Sequence, residues 1–124
     1  MEPYIDVTKL KRNSQLLIET VQTIYEITVT GPKSCSVSVH GGIRFVLSTK
    51  ARFQGSISII SEEELIPNLI KRNHSLQFFY RDEKGEHSLV TSPVLSGKII
   101  SPDKSWKYDA IEREEKRDED SNKA

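Results

Sequence analysis

The side chains most able to do chemistry in this chain are few and scattered. His40, His74 and His87 lie far apart in sequence, with Cys35 as the one cysteine to join them. A zinc or catalytic metal set needs ligands at short spacing or gathered by the fold. His40 at a turn, His74 in a basic polar loop and His87 just after a hairpin read instead as ordinary exposed residues. The serines form no nucleophile-elbow pattern. Glu62, Glu63 and Glu64 are consecutive, so they present no fixed carboxylate pair across a cleft and read as solvated surface or a helix start. Gly31, Gly41 and Gly42 make no phosphate-cradling loop ahead of a helix. The expectation is a protein without catalytic site, metal, cofactor or small-molecule substrate.

The basic residues are more suggestive. Arg44, Lys50 and Arg52 flank the extended centre of the chain, Lys71-Arg72 sits in the next long connection, and Lys11-Arg12 forms a third pair. Two such clusters brought together would make an anion-attracting rim, with Phe79 or Tyr80 nearby for base stacking. Phe78 and Tyr80 are required by the core phase, which leaves Phe79 as the clear outward aromatic. The plain alternative is charge that keeps the surface solvated.

Those residues must be positioned by strands. Tyr25, Ile27 and Val29 share one phase, while Glu26, Thr28 and Thr30 take the other. Cys35, Val37 and Val39 then face one way, with Ser34, Ser36 and Ser38 opposite. A period of two is what a strand with one buried and one wet face requires. Between Leu10 and Ile24, Ser14 and the spacing of Leu17, Val21 and Ile24 would allow a short helix, but branched and aromatic residues crowd Thr20 to Tyr25. That crowding favours a strand over Leu16 to Thr20, a turn near Gln22 and a strand from Ile24 to Thr30.

Further strands are expected over Ser34 to Val39 and Phe53 to Ile60, with Ile43, Phe45 and Leu47 sharing one side of an extended stretch between them. In the second strand Phe53, Ile57 and Ile59 share a face with Gly55, where a bulge would let a small sheet curl. Ser61 and Glu64 have capping-box spacing, and Pro67 limits any helix there to about one turn. Leu76, Phe78 and Tyr80 alternate before an Asp82 to Gly85 hairpin loop, and His87 to Val94 returns, with Pro93 marking an edge or an end. Gly97 to Ile100 reads as a short edge piece. The fold class expected is all-β: a small antiparallel, strongly bent β-barrel, SH3-like or similar, of five to seven strands with one short helical turn.

The 124 residues suit one domain, with 18 basic and 18 acidic side chains in balance. Residues 1–9 read as an N-terminal arm, 10–101 as the barrel domain, and 102–124 as a charged extension, disordered beyond 111. In that extension Glu112 and Lys116 have helix-favouring spacing, whereas Arg113 and Arg117 repel. Cys35 cannot form an internal disulfide and reads as a small buried hydrophobe. With no apolar run of membrane-spanning length and no amino-terminal apolar signal, a cytoplasmic protein off the membrane is expected.

Several pieces occur in an order that resembles a group of small bacterial proteins of about this size. They are Ile18-Glu19-Thr20, Ile24-Tyr25-Glu26-Ile27-Thr28-Val29, Gly41-Gly42 with Phe45, Ala51-Arg52-Phe53-Gln54-Gly55-Ser56, and Thr91-Ser92-Pro93-Val94. The resemblance spans roughly residues 16 to 95 and implies a β fold. It implies no activity, and the connection from Ser61 to Ser75 is richer in charged and apolar residues than that group leads one to expect.

The functional expectation is a non-catalytic module for protein interaction or self-association. Ile60 and Phe79 are apolar in the nominally wet phase, and Trp106 and Tyr108 either fold back over one end of the barrel or anchor a partner. The alternative is nucleic-acid binding through a local basic rim formed by Arg44, Lys50, Arg52, Lys71 and Arg72. A neutral total charge gives that alternative no long-range field to exploit.

Overall fold

The computed structural model describes residues 2–60 and 64–114. Eleven strands run in chain order: β1 (Tyr4–Asp6), β2 (Gln15–Thr20), β3 (Ile24–Gly31), β4 (Ser36–Gly41), β5 (Phe45–Ser58), β6 (Leu65–Pro67), β7 (Leu69–Lys71), β8 (His74–Asp82), β9 (Gly85–Val90), β10 (Val94–Ile100) and β11 (Lys107–Ile111). One antiparallel sheet takes nine of them in the order β11-β10-β2-β3-β4-β5-β8-β9, with β6 also on β5. The remaining two, β1 and β7, pair separately.

The alternation expected of β3, β4 and β8 places their apolar side chains in one interior. Tyr25, Ile27, Val29, Val37, Val39, Leu76, Phe78 and Tyr80 are all buried. Phe45 stands edge-on to Phe78 at 6.2 Å and to Tyr80 at 5.2 Å, and Phe53 lies 5.6 Å from Phe78. Such tilted contacts suit the ring quadrupoles and add to area burial. Cys35 is buried too, but in the turn before β4 with φ of 57°, where its Sγ donates to Asn68 Oδ1. Burial pushes its thiol pKa up, Asp6 adds to that, and Arg52 opposes it.

β5 departs most from the sequence pattern. Opposite β4 its register runs from Val39↔Thr49 to Gly41↔Phe45, so His40 alone faces Val46, Leu47 and Ser48. This bulge turns Leu47 outward at 77% exposure, and Ile43 in the turn is 90% exposed, so only Phe45 of the expected trio is core. A second shift falls between Phe53 and Gly55. There Gly55, at φ of 147°, passes so close to β6 that a Cβ would sit 2.2 Å from the Ile66 carbonyl oxygen. The phase flips: Ser56 is fully buried, Ile57 half-buried and Ile59 exposed. Ser56 tolerates burial because its Oγ donates to the Leu69 carbonyl and accepts from the Lys71 amide.

The sheet does not close into a barrel, and its strands outnumber the five to seven expected. β9 and β11 are its ends. Single hydrogen bonds run from Asn73 N, in the turn before β8, to Val94 O of β10, and from Val21 N, just past β2, to Pro93 O. β10 lies between β2 and β11 rather than at an edge, which corrects the reading of Gly97 to Ile100. The two-stranded β1–β7 ribbon contributes Ile5 and Ile70 to the same core. The expected arm is thus paired from Tyr4 to Asp6, and the extension is paired from Lys107 to Ile111. The described helical turn is a 3-10 turn at Val7–Lys9, begun where Asp6 Oδ1 accepts from the Thr8 amide. Ser61 to Glu63 of the expected capping box, and residues beyond Glu114 in the charged run, lie outside the described residues.

Gly55→Ala combines left-handed strain with a backbone clash and is expected to cost roughly 2–4 kcal/mol in urea unfolding. Gly85→Ala has positive φ but open space around the new methyl, so about 1 kcal/mol is expected. Equal costs at the two positions would show that the β6 approach does not bend β5.

Candidate functional site

The wet face of β3, β4, β5 and β8 is a floor of small hydroxyl side chains. Thr28, Ser38 and Lys50 sit side by side across three strands, and Ser36, Arg52, Phe79 and Ser88 form the neighbouring row. Above this floor lies an open groove of about 880 Å³, lined by Thr30, Ser36, Ser38, Lys50, Arg52, Phe79 and Arg81 among others. A second groove of about 360 Å³ adjoins it across β2 and β3, and the two share Ser38. Short side chains on the floor are what leave room for the trough.

The cations around it differ in their partners. Arg81 is ion-paired with its cross-strand neighbour Glu86. Lys50 and Arg52 make no ion pair among the described residues, so their charge is available to a ligand. Arg44 does not line the groove; from the β4–β5 turn its Nη1 donates at 3.0 Å to the hydroxyl of Tyr80, whose ring packs against Phe45 in the core. Phe79 is half-buried between the strands, so one side of its ring remains available. The fold therefore gathers Lys50, Arg52 and Phe79 and leaves Arg44 outside the groove. It also adds Arg81, which sequence spacing missed although Tyr80-Arg81 follows Phe79 directly.

Lys71 and Arg72 go elsewhere. Arg72 is mostly covered, with its Nη1 donating to the Glu112 carbonyl at 2.7 Å and Nη2 lying 3.5 Å from Glu2. It clamps the start of β8 to both chain ends and does not join the groove. Its Nε is buried without a partner among the described residues. The Lys71 amide is bound to Ser56, and its strand pairs with β1. Neither cation lines the trough.

The apolar candidates do not form one surface. Phe79 is in the groove, whereas Ile60 is 91% exposed after β5. Tyr108 lines a separate groove of about 440 Å³ with Tyr4, Leu10 and Ile99. Trp106 is half-exposed at the β10–β11 turn, its amide donating to Ser101 Oγ. That turn is held by Asp103, whose Oδ1 accepts from Ser101 Oγ and the Ser105 amide. Hydrogen bonds from Ser105, then Ser101, draw the Asp103 pKa down from 3.8 to about 2.

The histidines stay apart. His40 lies 3.5 Å from Glu26, His74 contacts the Arg72 carbonyl, and His87 sits 2.8 Å from Asp82 while stacking on Tyr80. The His87 hydrogen bond is the main cause lowering the Asp82 pKa. No group of three or more potential metal ligands occurs among the described residues. Among the described residues no helix is long and apolar enough to cross a membrane.

Arg72→Ala is expected to cost roughly 1–3 kcal/mol in thermal unfolding, because it releases a carbonyl clamp. Lys50→Ala should stay within about 0.5 kcal/mol, as expected for an exposed residue away from structural contacts. For Asp103 the folded-state pKa lies below the unfolded one. Its contribution to stability is therefore complete above pH 3.8 and lost as pH falls through about 2. Carboxyl carbon NMR should show the midpoint near 2, moving back toward 3.8 in Ser101→Ala. No family model, curated protein or solved structure matches the chain.

Proposed function

We propose that this chain is a cytoplasmic, non-catalytic interaction module that holds an acidic segment of a partner protein in the outer groove. One observation carries the reading. Lys50 and Arg52 project from alternate positions of one strand, without ion pairs among the described residues, over a hydroxyl floor beside Phe79. Charged hydrogen bonds to carboxylates are the strong ones available to such a surface, and the ring offers apolar contact between them. The reading treats the antiparallel sheet as an SH3-like partial barrel, supported by the register shift in β5 and the bond from Asn73 N, ahead of β8, to Val94 O of β10. It also places the chain with the small bacterial β proteins whose sequence pieces it shares.

A second copy is a poorer occupant of the trough, since the same cationic face would meet itself. Nucleic acid is the competing ligand, because phosphates would suit the same cations. Two facts weigh against it: the chain has no net charge, and Phe79 is the one aromatic ring presented outward in the groove.

The test uses a fluorescent twelve-residue glutamate-rich peptide and a twelve-nucleotide oligothymidine, titrated separately into the full chain at low and moderate salt. The peptide should bind, weaken with salt, and lose about tenfold or more in affinity with Lys50→Glu/Arg52→Glu. Tighter binding of oligothymidine, lost in the same variant, would transfer the groove to nucleic acid. Failure of both probes to bind the folded chain would remove the reading altogether.

A further inference from the structure

The groove contains a gap in the sheet as well as charge. At Arg52, β5 is paired with both long neighbours, to Ser36 of β4 and to Phe79 of β8. Toward the carboxyl end, β8 stays with β5 as far as Ser58↔His74. Toward the amino end it leaves. From Thr49 to Ala51, β5 has β4 on one side and no strand on the other among the described residues, and just before that Val46 to Ser48 bulge out opposite His40. Across the gap, Tyr80 to Asp82 pair with β9 alone. The trough lies over this split, with Ala51 and Tyr80 in its wall.

An open strand edge presents a row of backbone donors and acceptors, and natural sheets usually cover or blunt such a row. Here the edge is flanked by the outward Val46 and Leu47, 64% and 77% exposed. Lys50 and Arg52 share one face of β5 because strand side chains alternate with period two. Backbone pairing to that edge would set a partner strand's side chains in the same rhythm.

We infer that the partner segment binds as an added β-strand on the open edge of β5 at Thr49 to Ala51, with acidic residues at every second position facing Lys50 and Arg52. The intervening positions are apolar and meet the wall of the gap. This inference rests on the reading of the groove as a site for an acidic peptide and adds the conformation and residue pattern of its ligand. The paired edge distinguishes a peptide from a nucleic acid, whose backbone has no alternating amide donors and carbonyl acceptors to match it.

The probe is a capped peptide of five Val-Glu repeats, compared with two analogues N-methylated at every valine or at every glutamate, and with a ten-nucleotide oligothymidine. Binding is read by titration and by amide hydrogen exchange of the full chain. The parent peptide should slow exchange within Thr49 to Ala51. One methylated analogue should bind about tenfold or more weakly, because alternate amides of an added strand face its neighbour. If both analogues match the parent while Lys50→Glu/Arg52→Glu still weakens all three, strand addition is wrong and the acidic-peptide reading stands. If none of the peptides binds, both fall. Tighter protection of the same amides by oligothymidine would also overturn the inference.

Discussion

The close passage of Gly55 beneath the Ile66 carbonyl is the constraint on which this architecture turns. β5 is the longest strand, and it serves two sets of neighbours: β4 in its first half, β6 and β8 in its second. A straight strand could not do both, because the sheet would run on flat past the aromatic core. The glycine supplies a backbone conformation that a side chain would resist, and it removes the Cβ that would strike β6. Beyond it the strand faces change places, so that Ser56 enters the interior with both of its hydrogen bonds supplied by the β7 backbone.

That bend has consequences on the other side of the sheet. β8 can follow β5 only from Arg52 onward, so their other ends separate. Inside, the separation is filled by Phe45 packed against Tyr80. Outside, it leaves a trough over short serine and threonine side chains. The aromatic cluster and the groove are two faces of one distortion. Large rings hold the core together where the backbone ladder is interrupted, and small polar residues keep the wet surface open. The buried rings and the open trough therefore lie on opposite faces of the same strands.

Local charge matters more here than the total. Basic and acidic residues balance across the chain, and several described cations on or beside the sheet are engaged. Arg81 has Glu86, Lys98 has Asp109, Arg113 has Glu19, and Arg72 is bound into the chain ends. Exposed pairs of this kind contribute little to stability, but they remove charge from the competition for a ligand. Lys50 and Arg52 stand apart because their cross-strand neighbours are Ser38, Ser36 and Phe79 and include no carboxylate. A surface with no long-range field can still have one short-range site.

Alternation alone was enough to identify β3, β4 and β8 and to assign Tyr25, Val37, Leu76 and Phe78 to the interior, since a half-buried strand imposes its own period whatever its neighbours. The sequence also marked Arg44, Lys50, Arg52 and Phe79 as candidates, because outward residues in such a strand are readable from the same rhythm. It could not determine the fate of Ile57, Ile43 or Leu47, whose facing depends on bulges created by β4, β6 and β8. Nor could it separate Lys50 from Arg72: free and engaged cations look alike until the chain ends and neighbouring strands are in place. Periodicity is a local property of the backbone, whereas register, edge pairing and the partners of a long side chain are decided by segments distant in sequence, and those decisions turned an ordinary polar strand into an open, charged groove.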